Sequence, residues 1–269
     1  MVDTSIDDGE QVRVEFRGGG FDPVSRKWAA WAFFVALLLV WEAASRAGLI
    51  DPLFLPAPSQ IWTALEAMTL SGELPQHLGA SLLRIGAGWL IGTAAGLALG
   101  GLIGLSWLGR SAGLPFISAL FPIPKIALLP LLILWFGIGE ASKIATIALG
   151  VFFPMAVSTY AGVDNVPRNL IRMAQSFNVP FAKIVRDVVM PAMLPSVLSG
   201  FRISASIALI LVVSAEMIGA DTGIGALLLT SGNLMQTDQL MAGIVAIAVL
   251  GLLIGAFISW LERVLLGWR

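Results

Sequence analysis

Residues 164–200 read DNVPRNLIRMAQSFNVPFAKIVRDVVMPAMLPSVLSG, a polar and basic stretch set between two segments apolar enough to cross a bilayer. Asp164 or Asn165 is placed to cap a helix whose opening turn holds Pro167, where a missing N–H costs little. That helix is predicted to run to about Phe177. Asn178 then takes the left-handed conformation that ends it, and Pro180 restarts a second helix two positions on. The turn presents Phe177 and Val179, ringed by Arg172, Lys183 and Arg186. An apolar pair with a basic surround suits a knob entering an apolar, acid-rimmed groove on a partner.

The composition around this wedge sets its context. Of 269 residues, 57% are hydrophobic and only 12% charged, which is the balance of a polytopic membrane protein and not of a soluble domain. A net charge of -1 gives no basic excess for nucleic acid. With no cysteine and a single histidine, His77, disulfides, thiolate metal sites and an H-E-x-x-H zinc site are excluded. Residues 1–25 carry Asp3, Asp7, Asp8, Glu10 and Glu15 with a Gly18-Gly19-Gly20 run, and are expected to be a flexible cytosolic tail rather than a cleaved signal. Residues 26–269 form the transmembrane domain, with residues 164–190 as its cytosolic loop.

A hydrocarbon core about 30 Å thick needs roughly 20 apolar residues per helix. Six windows approach this: about 27–45, 80–107, 113–136, 143–163, 188–215 and 239–261. The expected fold is therefore all-α, with about six transmembrane helices. The stretch 49–79 is interrupted by Pro52, Pro56, Pro58 and Pro75, leaving Ser59 to Leu70 as a short interfacial helix. Placing both termini in the cytosol puts Arg13, Arg17, Arg26, Lys27, Arg110, Arg168, Arg172, Lys183, Arg186, Arg263 and Arg269 inside and only Arg46 and Lys143 clearly outside, as the positive-inside bias requires. In the second span Gly88, Gly92, Gly96, Gly100 and Gly104 recur every fourth residue, a face without side chains that lets a neighbouring helix backbone approach closely.

The order of residues in the loop resembles a known family. Met173-Ala174-Gln175-Ser176-Phe177-Asn178, nine further residues, then Val188-Val189-Met190-Pro191 is similar to the EAA loop, E-A-A-x3-G-x9-I-x-L-P, of binding-protein-dependent ABC importer permeases. Ala174 and Pro191 match outright. Arg172 stands where that family has Glu, Met173 where it has Ala, and Asn178 where it has Gly. The likeness extends from about Leu55 to the C-terminus, through Leu55-Pro56-Ala57-Pro58-Ser59, Pro122-Ile123-Pro124-Lys125, Leu129 to Gly139, which includes Trp135, and Ala215-Glu216-Met217-Ile218-Gly219. These segments resemble the sulfonate, taurine and nitrate branch. The resemblance implies a type I importer permease fold, a homodimer with a second copy of the chain, two ATP-binding cassette subunits that dock on Arg172, Ala174, Ser176, Phe177, Asn178, Val179, Pro180, Lys183 and Pro191, and an external solute-binding protein. The cargo it implies is a small anion, an aliphatic sulfonate or taurine first, with nitrate, bicarbonate or another small solute as the alternative.

An ATP-driven machine needs a phosphate-cradling G-x4-G-K-[ST] loop, and the chain has no Gly-Lys pair. The chain is thus expected to carry no cofactor, ATP and Mg being bound by the partner. A secondary transporter, the competing class, would show paired broken helices with midplane carboxylates, and no internal repeat or such acid is present. No catalytic set suggests an enzyme. Charges inside spans cost about 2.5–3.5 kcal/mol on insertion scales, so each needs a reason. Arg84 is expected to snorkel from the outer end of the second span, and Glu216 to lie near the outer surface, bonded to the Gly219–Gly225 turn. Lys125 and Arg202 rise about 16–18 Å from the cytosolic side, to similar depth. Lys125, Trp135, Arg202 and Glu216 are the candidate lining of the transport path; for Lys125 and Arg202 the competing role is to bind carbonyls freed by Pro122, Pro124 and Pro130, a structural role preferred for Arg202 because it adjoins Gly200 near the loop.

Overall fold

The structure, a computed structural model, describes residues 27–267; the expected N-terminal tail and the charges of Arg13, Arg17, Arg26 and Arg269 lie outside them. The described chain is helical throughout: α1 Lys27–Arg46, α2 Pro58–Leu70, α3 Glu73–Leu105, α4 Trp107–Leu120, a 3-10 turn Lys125–Leu128, α5 Leu129–Phe136, α6 Glu140–Asp164, α7 Arg168–Ser176, α8 Phe181–Ile184, a π turn Val185–Val189, α9 Met190–Met217, α10 Ile224–Asn233 and α11 Thr237–Leu265. Five helices have the length and apolarity to cross a membrane, and α4 with the 125–136 segment makes a sixth, bent by 88°.

That bend corrects the reading of residues 113–136 as one helix. Pro122 and Pro124 both lack an N–H and are separated only by Ile123, so the helical ladder cannot pass through them. Upstream, α4 already starts at Trp107, where the Ser106 hydroxyl accepts the Gly109 N–H at 2.9 Å and caps it. The segment expected to be only a turn after Glu216 holds a further helix, α10. The π turn ahead of α9 has a related cause. Pro191 would press its ring on the carbonyl of Asp187 in a regular helix, and the widened turn relieves the clash.

The glycine file of α3 decides how the bundle closes. Cβ atoms built on Gly88, Gly96 and Gly104 would stand 2.6 Å from the Cβ atoms of Ile147, Met155 and Val163, while on Gly92 and Gly100 they would meet the carbonyl oxygens of Ala148 and Ala156. The partner residues rise in step with the glycines, so α3 and α6 run parallel, backbone against backbone. Lipid tails are as apolar as the side chains, so this contact is held by van der Waals packing. On its other side α6 packs antiparallel on α9, where Gly150 faces Leu211 and Gly200 faces Ser158. Ile85, Ile147, Val151, Met155, Val197, Ala208 and Val212 fill the space among the three. A second core gathers Ile61, Met68, Leu74, Ile224, Leu227 and Ala242 from α2, α3, α10 and α11.

Candidate functional site: an elbow, a break and a charged clasp

The elbow between α6 and α9 is built from the residues that opened the sequence analysis. Asn178 has φ 55, the left-handed conformation that Asn tolerates, and its N–H donates to the Gln175 carbonyl at 2.9 Å. α7 ends at Ser176, and α8 begins after Pro180. Two details differ from expectation. Asp164 is the last residue of α6 and Asn165 its C-cap, so neither caps α7, whose N-cap is Pro167. Asp164 instead accepts a charge-assisted bond from Arg110 at 2.6 Å, tying the start of α4 to the end of α6. The apolar knob is also differently composed. Phe177 is 76% exposed, but Val179 is partly buried, and the exposed large apolar side chains on either side of Phe177 in the chain are Met173 and Phe181. The turn hands its surface to the residue after Pro180 because Val179 N–H folds back onto the Ala174 carbonyl at 3.1 Å.

Grooves flank α7. Ala174 lies in one with Leu170, Met173, Pro191 and Pro195, about 370 Å³ in volume. Arg172 lines a cavity on another side. Arg172, Ser176, Lys183 and Arg186 are exposed, as is Phe177, so the structure brings these loop candidates to one exposed elbow.

At the break in the third pass, the Lys125 ammonium donates to the carbonyls of Leu120, Phe121 and Ile123 at 2.8, 3.0 and 2.7 Å and lies 4.3 Å from the ring centre of Phe153. All three of its N–H donors are used. Phe153 is midway along α6, so the lysine does sit at mid-height. Arg202 is at a comparable height on α9 but turns toward α11, where its Nη2 donates to Glu262 at 2.7 Å. Glu262 was not anticipated as its partner. Trp135, near the end of α5, is largely exposed.

The end of the bundle away from the elbow carries a clasp that the sequence shows only in part. Arg84 was expected to snorkel; it is 3% exposed and fully engaged. Its Nε and Nη2 grip both oxygens of Glu140 at 2.6 Å, and Nη1 reaches Glu216 at 2.7 Å and the Thr222 carbonyl at 2.6 Å. Glu216, 1% exposed, also accepts from Ser81 Oγ at 2.8 Å and from the Gly225 N–H at 2.9 Å. The Ile224 N–H donates to Ser81 Oγ at 2.9 Å, and His77 Nδ1 lies 2.8 Å from the Gly223 carbonyl and 3.0 Å from the Gly223 N–H, its tautomer setting which of the two it binds. Ser81 from α3 and Glu216 from α9 therefore satisfy the first amides of α10, which has no side-chain cap of its own. Gly223 makes this possible: at φ 129, with the Glu216 carboxylate against it, a Cβ has neither the conformation nor the room. Lys143, placed outside by the charge count, is buried beside this clasp and donates to the Gly139 carbonyl at 3.2 Å.

Six membrane passes, one broken in the middle, with an amphipathic elbow between the fourth and fifth, form the fold of a type I ABC importer permease. The same fold is found in a chain of the MetNI methionine ABC transporter in inward facing conformations, with a TM-score of 0.60 and 21% identity over 69% of this chain and 93% of that one. The family described as binding-protein-dependent transport system inner membrane component matches residues 91–266, and the chain belongs to it. It is 38% identical to the taurine transport system permease protein TauC of Escherichia coli over 92% of each chain. It is 36% identical to the putative aliphatic sulfonates transport permease protein SsuC of Bacillus subtilis, over 87% of this chain and 84% of that one. It is therefore a multi-pass inner-membrane transport component and not an enzyme.

Proposed function

We propose that the chain is the membrane-spanning subunit of an ATP-driven importer that passes an aliphatic sulfonate or taurine into the cytoplasm by alternating access. It works as a homodimer, with two ATPase subunits on the elbow and a solute-binding protein on the outer face; ATP and Mg are held by the ATPase, and this chain needs no cofactor. Both termini are cytoplasmic, in keeping with Arg110, Arg168, Arg172, Lys183, Arg186 and Arg263 at one end of the bundle. The cargo named for TauC and SsuC supports the choice of anion.

The observation that carries the reading is the elbow. Phe177 and Phe181, exposed beside Met173 in a cationic surround, form an apolar anchor with no cover within the described chain. Burying an aromatic anchor in a partner's pocket is what gives an interface most of its energy. In this reading Lys125 staples the broken helix through its three carbonyl bonds, and its residual charge faces the path at mid-height, with Trp135 further along α5. Reconstituted vesicles test the whole: uptake of radiolabelled taurine should require internal ATP, the ATPase and the binding protein together. Uptake driven by a Na⁺ or proton gradient alone would reject it.

A further inference from the structure

On the face of α7 that carries Arg168 and Arg172, a cavity of about 500 Å³ opens between the α3–α4 turn, the end of α6 and the elbow. Its size is that of a ligand cleft. Its walls are of two kinds. Leu105, Trp107 and Phe181 supply an apolar side, while Arg110, Arg168 and Arg172 supply three guanidinium groups. One acid lies on the wall, Asp164, and it is taken by Arg110. Arg168 and Arg172, one turn apart on α7 and so on one face, have no carboxylate partner among the described residues.

The height of the cavity narrows what fills it. Trp107 is exposed at the turn where α3 ends, the level at which the second span leaves the hydrocarbon, and Trp at that level marks the headgroup layer. A ligand here faces lipid with one side and cytosol with the other. We propose that this cavity binds the phosphate headgroup of an anionic phospholipid, with Arg168 and Arg172 forked on the phosphate and the upper acyl chain against Leu105, Trp107 and Phe181. A free phosphate satisfies the arginines but leaves the apolar wall bare; a lipid satisfies both. A basic pocket between spans on the cytoplasmic side is the arrangement that recognises such headgroups. Because α7 is also the elbow, the lipid would set the elbow's seat against the α3–α4 turn before any partner arrives.

The inference rests on the cytosolic orientation of the elbow given above. The test uses the full-length chain purified without ATPase and loaded with phosphatidylglycerol or phosphatidylcholine, the retained lipid being counted by native mass spectrometry. Arg168→Gln/Arg172→Gln should weaken phosphatidylglycerol retention about 25-fold, roughly fivefold for each juxtamembrane cation, with phosphatidylcholine unaffected. Arg263→Gln, a cation at the same end but outside the cavity, should change nothing. Undiminished phosphatidylglycerol in the double variant overturns the proposal. So does displacement of the lipid by inorganic phosphate with the same arginine dependence, which would make the site one for a soluble anion. A large gain in lipid binding on deleting residues 2–25 would also overturn it, by making the acidic N-terminal segment the occupant. The chain has no cysteine, so Arg168→Cys reports orientation separately: labelling by an impermeant maleimide in right-side-out vesicles sinks the orientation while leaving the detergent result to judge the cavity.

Discussion

The two ends of the bundle are built on opposite terms. At the end away from the elbow Arg84, Glu140, Glu216 and Ser81 bind one another, Ser81 and Glu216 also hold the first amides of α10, and His77 meets Gly223, so the donors and acceptors that close that end come from this chain alone. At the elbow end Phe177 and Phe181 are bare and Arg168 and Arg172 lack acidic partners among the described residues. A self-satisfied charge cluster is costly to disturb, because removing one member strands the others in a low-dielectric place. An unsatisfied apolar and cationic surface contributes little to the chain's own stability and waits for something else to cover it. One end is thus written for folding and the other for assembly.

Mutations can break that contrast. Glu216→Ala should have the largest effect, about 3–5 kcal/mol, since it takes away one of the two carboxylates on buried Arg84 and leaves the Gly225 amide and the Ser81 hydroxyl buried without their acceptor. Thermal unfolding of the detergent-purified chain checks it, and a melting temperature like that of the parent would remove the clasp from the account. Phe177→Asp should do the reverse, leaving the melting temperature within the spread of the parent while costing about 2–4 kcal/mol in ATPase affinity, read as loss of ATPase in co-purification. Normal recovery of ATPase with that variant would dissolve the distinction between the ends.

Two further substitutions sharpen it in the middle of the molecule. Gly96→Val puts a branched side chain where the Met155 Cβ already stands 2.6 Å from the would-be Cβ, and should cost about 1–3 kcal/mol and lower the folded yield. Gly101→Val, whose Cβ meets nothing within 4 Å, should be tolerated; equal yields from the two would argue against the seam. Lys125→Gln is the mildest. Losing an ammonium bonded to three carbonyls should cost about 1–2 kcal/mol, and uptake per folded dimer should change less than the yield does. A deep loss of uptake at unchanged stability would make its charge part of the anion's path.

What the sequence could convey followed the range of the forces involved. The elbow was legible because its signals are local: Pro180, the tolerance of Asn178 for positive φ, and an abrupt change of polarity between apolar runs. The glycine file was legible because a period of four appears in any single helix, although only the structure says that α6 lies on it. The bend at Pro122 and Pro124 was half visible, since two prolines announce an interruption but not an angle of 88°. The clasp was hidden. Glu140 and Glu216 lie 56 and 132 residues from Arg84, and α10 owes its start to those remote side chains, so no local pattern in its ten residues predicts it. Val179 failed for a similar reason, because a backbone bond across the turn chose which apolar residue would face out.

The parallel register of α3 and α6 also carries a consequence for synthesis. Roughly sixty residues of chain separate each glycine of α3 from the residue it meets on α6, a stretch that takes about 3–12 s to translate at ~5–20 residues per second. Through that interval the bare stripe on α3 stands in the lipid with no mate. A stripe of small residues is also a surface on which two nascent copies of α3 would associate. The time before α6 arrives is therefore when this chain is most open to pairing wrongly, and an insertase that shields α3 would do most of its service there.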